Sequence, residues 1–208
     1  MAELGKTRVL CVATVEKGVP DACREKGTGW IQAEYNVLPT ATAKRQPRGS
    51  RQAEYDLLSQ KLGAALRGVT DLHKMDGVTI TLDCDVLQAD GDPMGAAIAG
   101  SGAALYLALK GRMAEGYLRR MPMGTQIAAV SAGICQGEPV LDPGEKELSQ
   151  AEAVLTVWMT GQGEILQVYR TGEGRPISKG EMEKLLSLCK KGTGKLCREQ
   201  KKITGELT

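Results

Sequence analysis

Apolar and polar positions change their period several times along the chain, and each change marks an element. From Val78 to Gly100 the sequence reads VTITLDCDVLQADGDPMGAAIAG. Its first part carries Val78, Ile80, Leu82, Val86 and Leu87, a β-branched and aliphatic run that suits a central strand covered on both faces. Asp92 then offers an oxygen to cap a helix, and Pro93 has the fixed φ of a first helical position. A helix is therefore expected to start here and to run through Met94 to Leu109. A strand entering a helix N-terminus leaves backbone N–H groups free and is a common anion site in α/β proteins. Ala89 to Ala97 is where a functional site is expected.

The flanking patterns supply the rest of the fold. Arg8 to Val15 and Thr28 to Leu38 are strands, with a turn at Glu16 to Pro20. Gln52 to Leu72 is an amphipathic helix, with Leu58, Leu62, Ala65, Leu66, Val69 and Leu72 at spacings of three and four. Pro122 and Gly124 break the chain. A second unit follows, with strands at Gln126 to Cys135, near Val140, at Ala153 to Met159 and at Ile165 to Thr171. It ends in a helix, Ser178 to Cys189, whose Ser178 and Glu181 have the spacing of a capping box. The expected class is α/β (α+β) in two halves, residues 1–121 and 122–192, followed by a basic tail, 193–208. Ile80, Leu82, Val86, Leu66 and Val130 are the expected core.

Composition narrows the function less than the pattern does. With 208 residues and a net charge of +2, the chain can bury a substantial core, and its charge does not by itself announce nucleic acid. The clustering is more informative: Lys44, Arg45, Arg48 and Arg51 lie in one Pro/Gly-containing segment. Lys110, Arg112, Arg119 and Arg120 form a second cluster, and the tail forms a third. Six cysteines without a C-x-x-C pair read as reduced core residues of a cytoplasmic protein, and one histidine leaves little for zinc. The most apolar run, Gly95 to Leu109, is too short to span a bilayer, and no signal peptide is evident.

The same stretches resemble bacterial ribonuclease PH. That family carries D-C-D-V-x-Q-A-D-G-G-T-R-T-A-x-I, matched here by Asp83, Cys84, Asp85, Val86, Gln88, Ala89, Asp90, Gly91, Ala96 and Ile98. It also carries V-L-C-x-A-x-x-E-x-G-V-P and G-W-x-x-A-E-Y-x-x-L-P, matched by Val9 to Pro20 and Gly29 to Pro39. In the second half, A-A-V-S-x-G-I, V-x-x-T and E-V-Q-G-T-A-E-G correspond to Ala128 to Ile134, Val157 to Thr160 and Gln167 to Gly174. The resemblance implies a ribosomal protein S5 domain 2-like βα sandwich in two halves. The family's usual first strand has no counterpart here, so a bare sheet edge is expected.

The resemblance also implies an activity: phosphate-dependent 3′→5′ trimming of transfer RNA and other RNA ends, with release of nucleoside diphosphates. It implies hexameric rings built of dimers, and inorganic phosphate and magnesium as requirements of an active form. Several matching positions depart from the pattern. The phosphate-gripping G-T-R is replaced by Asp92, Pro93 and Met94, which adds an anion and removes a guanidinium. Two catalytic aspartates fall on Leu148 and Val154, with Asp142, Glu147 and Glu152 as possible substitutes. A solvated acidic loop is the plainer reading of Glu145, Glu147 and Glu152. Gly49-Ser50-Arg51 resembles the family's phosphate-binding G-x-R, although the ungapped register puts Glu54 at the arginine's place. Arg45 and Arg48 coincide with arginines that face RNA from a neighbouring subunit.

The preferred expectation is an RNA-binding or ring-scaffold subunit with impaired or absent phosphorolysis and no cofactor, in a homo-oligomer or beside an active paralogue. The alternative is an active phosphorolytic exoribonuclease.

Overall fold

Alternation of apolar and polar side chains builds the first sheet of this computed structural model, which describes residues 1–75, 77–90, 92–171 and 175–205. Gly91 of the central motif, residues 172–174 and the last three tail residues lie outside that set. Strand β1 is Ala2–Leu4, β2 is Thr7–Lys17, β3 is Trp30–Val37 and β4 is Val78–Gln88, arranged β1-β2-β4-β3. β4 lies between β2, which is antiparallel to it, and β3, which is parallel. The short helix α1, Asp21–Glu25, follows β2.

β4 is central, as its sequence suggested, but it is covered on one face. Val78, Ile80, Leu82, Cys84 and Val86 are buried, while Thr79, Thr81, Asp83 and Asp85 are half-buried. The intervening threonines and aspartates explain the correction, since they would be costly to enclose without partners. Leu10 and Val12 of β2 pair in register with Asp85 and Asp83 and are exposed on that same outer face. The expected bare edge is partly covered, because β1 pairs with β2 at Ala2↔Val9, Glu3↔Arg8 and Leu4↔Thr7.

Helix α2, Gln52–Gly68, crosses from β3 to β4 and buries Leu62 and Leu66 fully. Each such leucine contributes about 1.5–3 kcal/mol of burial. It stops at Gly68, before the expected Leu72. There Asp71 starts a separate turn, Leu72–Lys74, by accepting a hydrogen bond from the His73 N–H.

Helix α3, Met94–Ala114, outlasts the expected Leu109. Its small residues let it lie between two sheets: a Cβ on Gly100 would stand 2.6 Å from Cys11 Sγ, and one on Gly102 would stand 2.9 Å from Ile127 Cγ2. Contacts that close exclude any side chain.

The second sheet joins β5 (Ile127–Cys135), β6 (Glu138–Leu141), β7 (Ala151–Thr160) and β8 (Ile165–Thr171) in the order β6-β5-β7-β8, all antiparallel. Helix α4, Glu145–Leu148, bridges β6 and β7. Ile127, Ala129 and Trp158 enter the core shared with the first half. Ala132, Ile134, Leu155, Val157 and Met159 face the other way, onto Leu185 and Cys189 of helix α5, Lys179–Thr204.

The basic tail is corrected most. Residues 193–204 continue α5, and Thr193, Cys197, Gln200 and Thr204, at steps of four, three and four, are buried along it. Gln200 Nε2 donates to Ile127 O at 2.7 Å and to Ala99 O at 3.2 Å, which ties the two halves together. Among the described residues no helix is long and apolar enough to cross a membrane, and all six cysteines are free thiols.

Candidate functional site

A cavity of about 210 Å³ opens at the N-terminal end of α3, where both halves meet. The first half contributes Thr7, Asp90, Asp92, Gly95 and Ala96, and the second contributes Ser131, Thr156, Asp142 and Gly144. The hydroxyls on its walls are already paired. Thr7 Oγ1 accepts from Asp90 N at 2.9 Å, and the Ser131 and Thr156 hydroxyls share a 2.8 Å hydrogen bond across β5 and β7. Neither lysine nor arginine is among the lining residues.

Carboxylates define its electrostatics. Asp92 Oδ1 accepts from Met94 N at 3.0 Å and so caps the helix that an incoming anion would use. Burial, and then the charge of Asp142, hold the Asp92 carboxyl above its ordinary value in spite of that hydrogen bond. Asp142 sits in the left-handed region at φ 52° and donates its N–H to Ser131 O at 2.8 Å. Burial and the charge of Glu147 raise its carboxyl as well. While ionised, carboxylates gathered in one cavity with no lysine or arginine in its lining disfavour the entry of a further negative charge. The hydroxyls of buried Tyr35 and half-buried Tyr169 are also pushed up, first by burial and then by the Asp92 charge.

The residues singled out from the sequence separate into three places. Asp92 lies at the cavity, Pro93 precedes the first helical residue, and Met94 is 2% exposed, packed in the core rather than aimed at a ligand. Asp142 lines the cavity. Glu147 stands beside it, its Oε2 accepting from Gly144 N at 2.8 Å. Val154 is buried in β7 on the face that also carries Thr156, and Leu148 ends α4 half-buried.

Glu152 does not reach the cavity. It accepts from Gly137 N at 2.7 Å and pairs with Arg175 at 2.9 Å, which holds its carboxyl below the usual range. Arg51 is engaged elsewhere too: at the start of α2 it donates from Nε to Glu54 at 2.6 Å, so the two rival positions for the family's arginine hold each other. Arg45 and Arg48 are exposed, without ion pairs among the described residues. Their loop is tied to β4 by Leu38 N donating to Val86 O and Ala89 N to Ala41 O, which anchors it beside Asp90.

Thr7, Ser131 and Thr156 were missed. Ser131 is a lone hydroxyl inside an otherwise apolar strand, while Thr7 and Thr156 share their strands with other polar residues, so none stood out from ordinary strand positions. Magnesium needs several oxygen ligands at one point. Among the described residues no three His, Cys, Asp or Glu side chains are grouped to hold an ion. Magnesium is commonly held by one or two carboxylates together with substrate phosphate oxygens and water, and Asp92 and Asp142 are carboxylates at the cavity that could serve in that way.

Comparison with known proteins gives a consistent result. The profile of the 3′ exoribonuclease family, domain 1, matches residues 1–110, and that of domain 2 matches residues 125–192. Ribonuclease PH of Syntrophomonas wolfei is 41% identical over 209 aligned positions, which cover 99% of this chain and 87% of that protein. Among solved structures, the Archaeoglobus fulgidus exosome with RNA bound to the active site superposes with a TM-score of 0.73 at 20% identity, covering 95% of this chain and 80% of the other. Rice (Oryza sativa) Rrp46 gives 0.73 at 17% identity, covering 96% and 84%. At those identities the two structures establish the two-sheet fold. With both domain profiles and the identity along nearly its whole length, the chain belongs to the ribonuclease PH family of 3′ exoribonucleases.

Proposed function

We propose that this ribonuclease PH-like RNA-processing protein binds RNA 3′ ends and lacks phosphorolysis of its own. The observation that carries the proposal is the cavity at α3, lined by Asp92 and Asp142 and by no cation. Phosphorolysis brings a free phosphate in line with the terminal phosphodiester, and that meeting of anions depends on positive groups. RNA would be held from outside the cavity, by Arg45 and Arg48 on the loop anchored next to Asp90. The exosome solved with RNA bound to its active site shares this fold, which accords with an RNA ligand, and the family resemblance implies a ring of subunits. In such a ring this chain would stand as a homo-oligomer built of dimers or beside an active paralogue.

The second reading is an active phosphate-dependent exoribonuclease that trims transfer RNA 3′ ends. The 41% identity to a Ribonuclease PH favours it, and on family relationship alone it is the better supported of the two. Only the cavity's chemistry weighs for the first.

The test uses the full chain, purified free of host ribonuclease PH, with an extended transfer RNA, inorganic phosphate and magnesium. The expected result is RNA binding without nucleoside diphosphate release, with binding weakened and its salt slope flattened by Arg45→Ala with Arg48→Ala. Phosphate-dependent diphosphate release that Arg51→Ala abolishes would establish the second reading instead.

A further inference from the structure

The opposite end of α3 holds a second basic cluster that the family site does not use. The 21-residue helix separates it from the acidic cavity by about 30 Å at 1.5 Å per residue. There a cavity of about 510 Å³ is lined by His73, Lys74, Tyr117, Leu118, Arg119 and Arg120. A neighbouring one of about 300 Å³ shares Tyr117 and Leu118 and adds Lys17 and Arg112. Together they form one cationic groove with a half-exposed aromatic ring at its middle, Tyr117 being 51% exposed.

Two of the nearby acids among the described residues are already engaged. Asp71 pairs with Lys74 at 2.9 Å, and Glu115 with Arg112 at 2.8 Å. Lys17, Arg119 and Arg120 make no ion pair among the described residues. The helix macrodipole favours cations at a C-terminus, which accounts for Arg112 in the last turn; its influence fades beyond that turn and does not account for Arg119 and Arg120. Arg112 itself lies 3.7 Å from the Tyr117 ring centroid, and its buried Nε–H meets no acceptor among the described residues.

We propose that this groove is a second contact for single-stranded RNA, with Arg119 and Arg120 on phosphates and a base stacked against the Tyr117–Arg112 pair. It rests on the RNA-binding reading above. Cations beside an exposed aromatic face suit single strands, whose bases present π-faces at intervals along a charged backbone. An acidic protein segment would use the cations and leave the ring without a role.

The test measures binding of a labelled oligouridylate, long enough to span both ends of α3, to the full chain across a salt series. Arg119→Ala with Arg120→Ala is expected to weaken binding about tenfold at ~0.1 M salt and to lower the salt slope by about 1.4. Tyr117→Ala is expected to weaken it about fivefold or more, while Tyr117→Phe retains affinity. All the substituted positions are exposed, and matching thermal melts verify that the variants fold. An unchanged slope in the double arginine variant, with wild-type binding intact, overturns this proposal alone. Absence of any RNA binding by the wild-type chain overturns the RNA-binding reading with it. Displacement of the RNA by polyglutamate as effectively as by unlabelled oligouridylate overturns the nucleic-acid assignment.

Discussion

At the Met94 end of α3 two carboxylates face a cavity whose lining holds no lysine or arginine; at the Ala114 end, arginines without ion pairs border an open groove. Both ends agree with the helix macrodipole, which favours negative charge at the start and positive charge at the finish. They differ in what is left over. Asp92 caps the first N–H with its own carboxylate, so an external anion must displace an internal one. At the other end Arg112 already answers the dipole, and Arg119 and Arg120 are surplus to it. The comparison shows that a helix terminus offers a ligand site only to the extent that the chain has not completed it itself.

The largest expected effect comes from exchanging side chains between the two ends. Met94→Arg should cost at least about 3 kcal/mol, because it forces an unpaired guanidinium into a buried position, whereas Arg119→Met should change stability by less than about 0.5 kcal/mol. Denaturant midpoints of the two variants test this, and a well-tolerated Met94→Arg would show that the position can still open towards a phosphate.

A smaller effect calibrates capping by a side chain. Ser178 begins α5 with a complete capping box, and Ser178→Ala should cost about 1 kcal/mol in the same measurement.

The finest distinction is one of sign with pH. Asp92 has a raised folded-state pKa, so its stabilising contribution is full below the ordinary aspartate value of 3.8 and is lost as pH rises through the raised value. Asp92→Asn keeps a capping oxygen and removes that loss, so the variant should gain stability relative to wild type as pH rises above the ordinary aspartate value of 3.8. Glu181 at α5 behaves oppositely. Arg175 holds it down to about 2, so its contribution is present above the ordinary glutamate value of 4.5 and fades as pH falls towards 2. Relative to wild type, thermal melts should therefore show Asp92→Asn gaining as pH rises above 3.8 and Glu181→Gln losing as pH rises from about 2 to 4.5, opposite signs in adjoining windows.

Local signals were read well where the physics is local. Ser178 with Glu181 formed the expected capping box, while α3 starts one residue later than expected, with Pro93 at the N-cap and Met94 first, although Asp92 still accepts from Met94 N. The expected core residues Ile80, Leu82, Val86, Leu66 and Val130 are all buried. Errors arose where an element's neighbours decide its character. The threonines and aspartates of β4 alternate with the apolar residues that drew the eye, and only the assembled sheet shows that one face lacks a cover. Lysines along 190–202 masked the buried stripe from Thr193 to Thr204. Glu152 and Arg51 were legible as charged residues at suggestive spacings, yet the partner of Glu152, Arg175, is set by how the chain folds back, while Arg51 is taken up by Glu54 three residues on in the first turn of α2. The electrostatic state of Asp92 depends on Asp142, fifty residues on and in the other half, so no window of sequence contains it.

The docking of Gln200 bears on how the molecule comes apart. Its single amide donates to a carbonyl of α3 and to one at the start of β5, and the same stretch of helix buries Cys197 and Thr204 beside them. The two halves therefore share a clasp made from the last described turns of the polypeptide, and neither can loosen without exposing it. Heat or denaturant should meet one cooperative unit, and a chain cut after Lys191 should melt in two steps or not fold. During synthesis the clasp leaves the ribosome after the α3 and β5 carbonyls that it joins, so the halves are fastened together only once the chain has been made as far as Gln200.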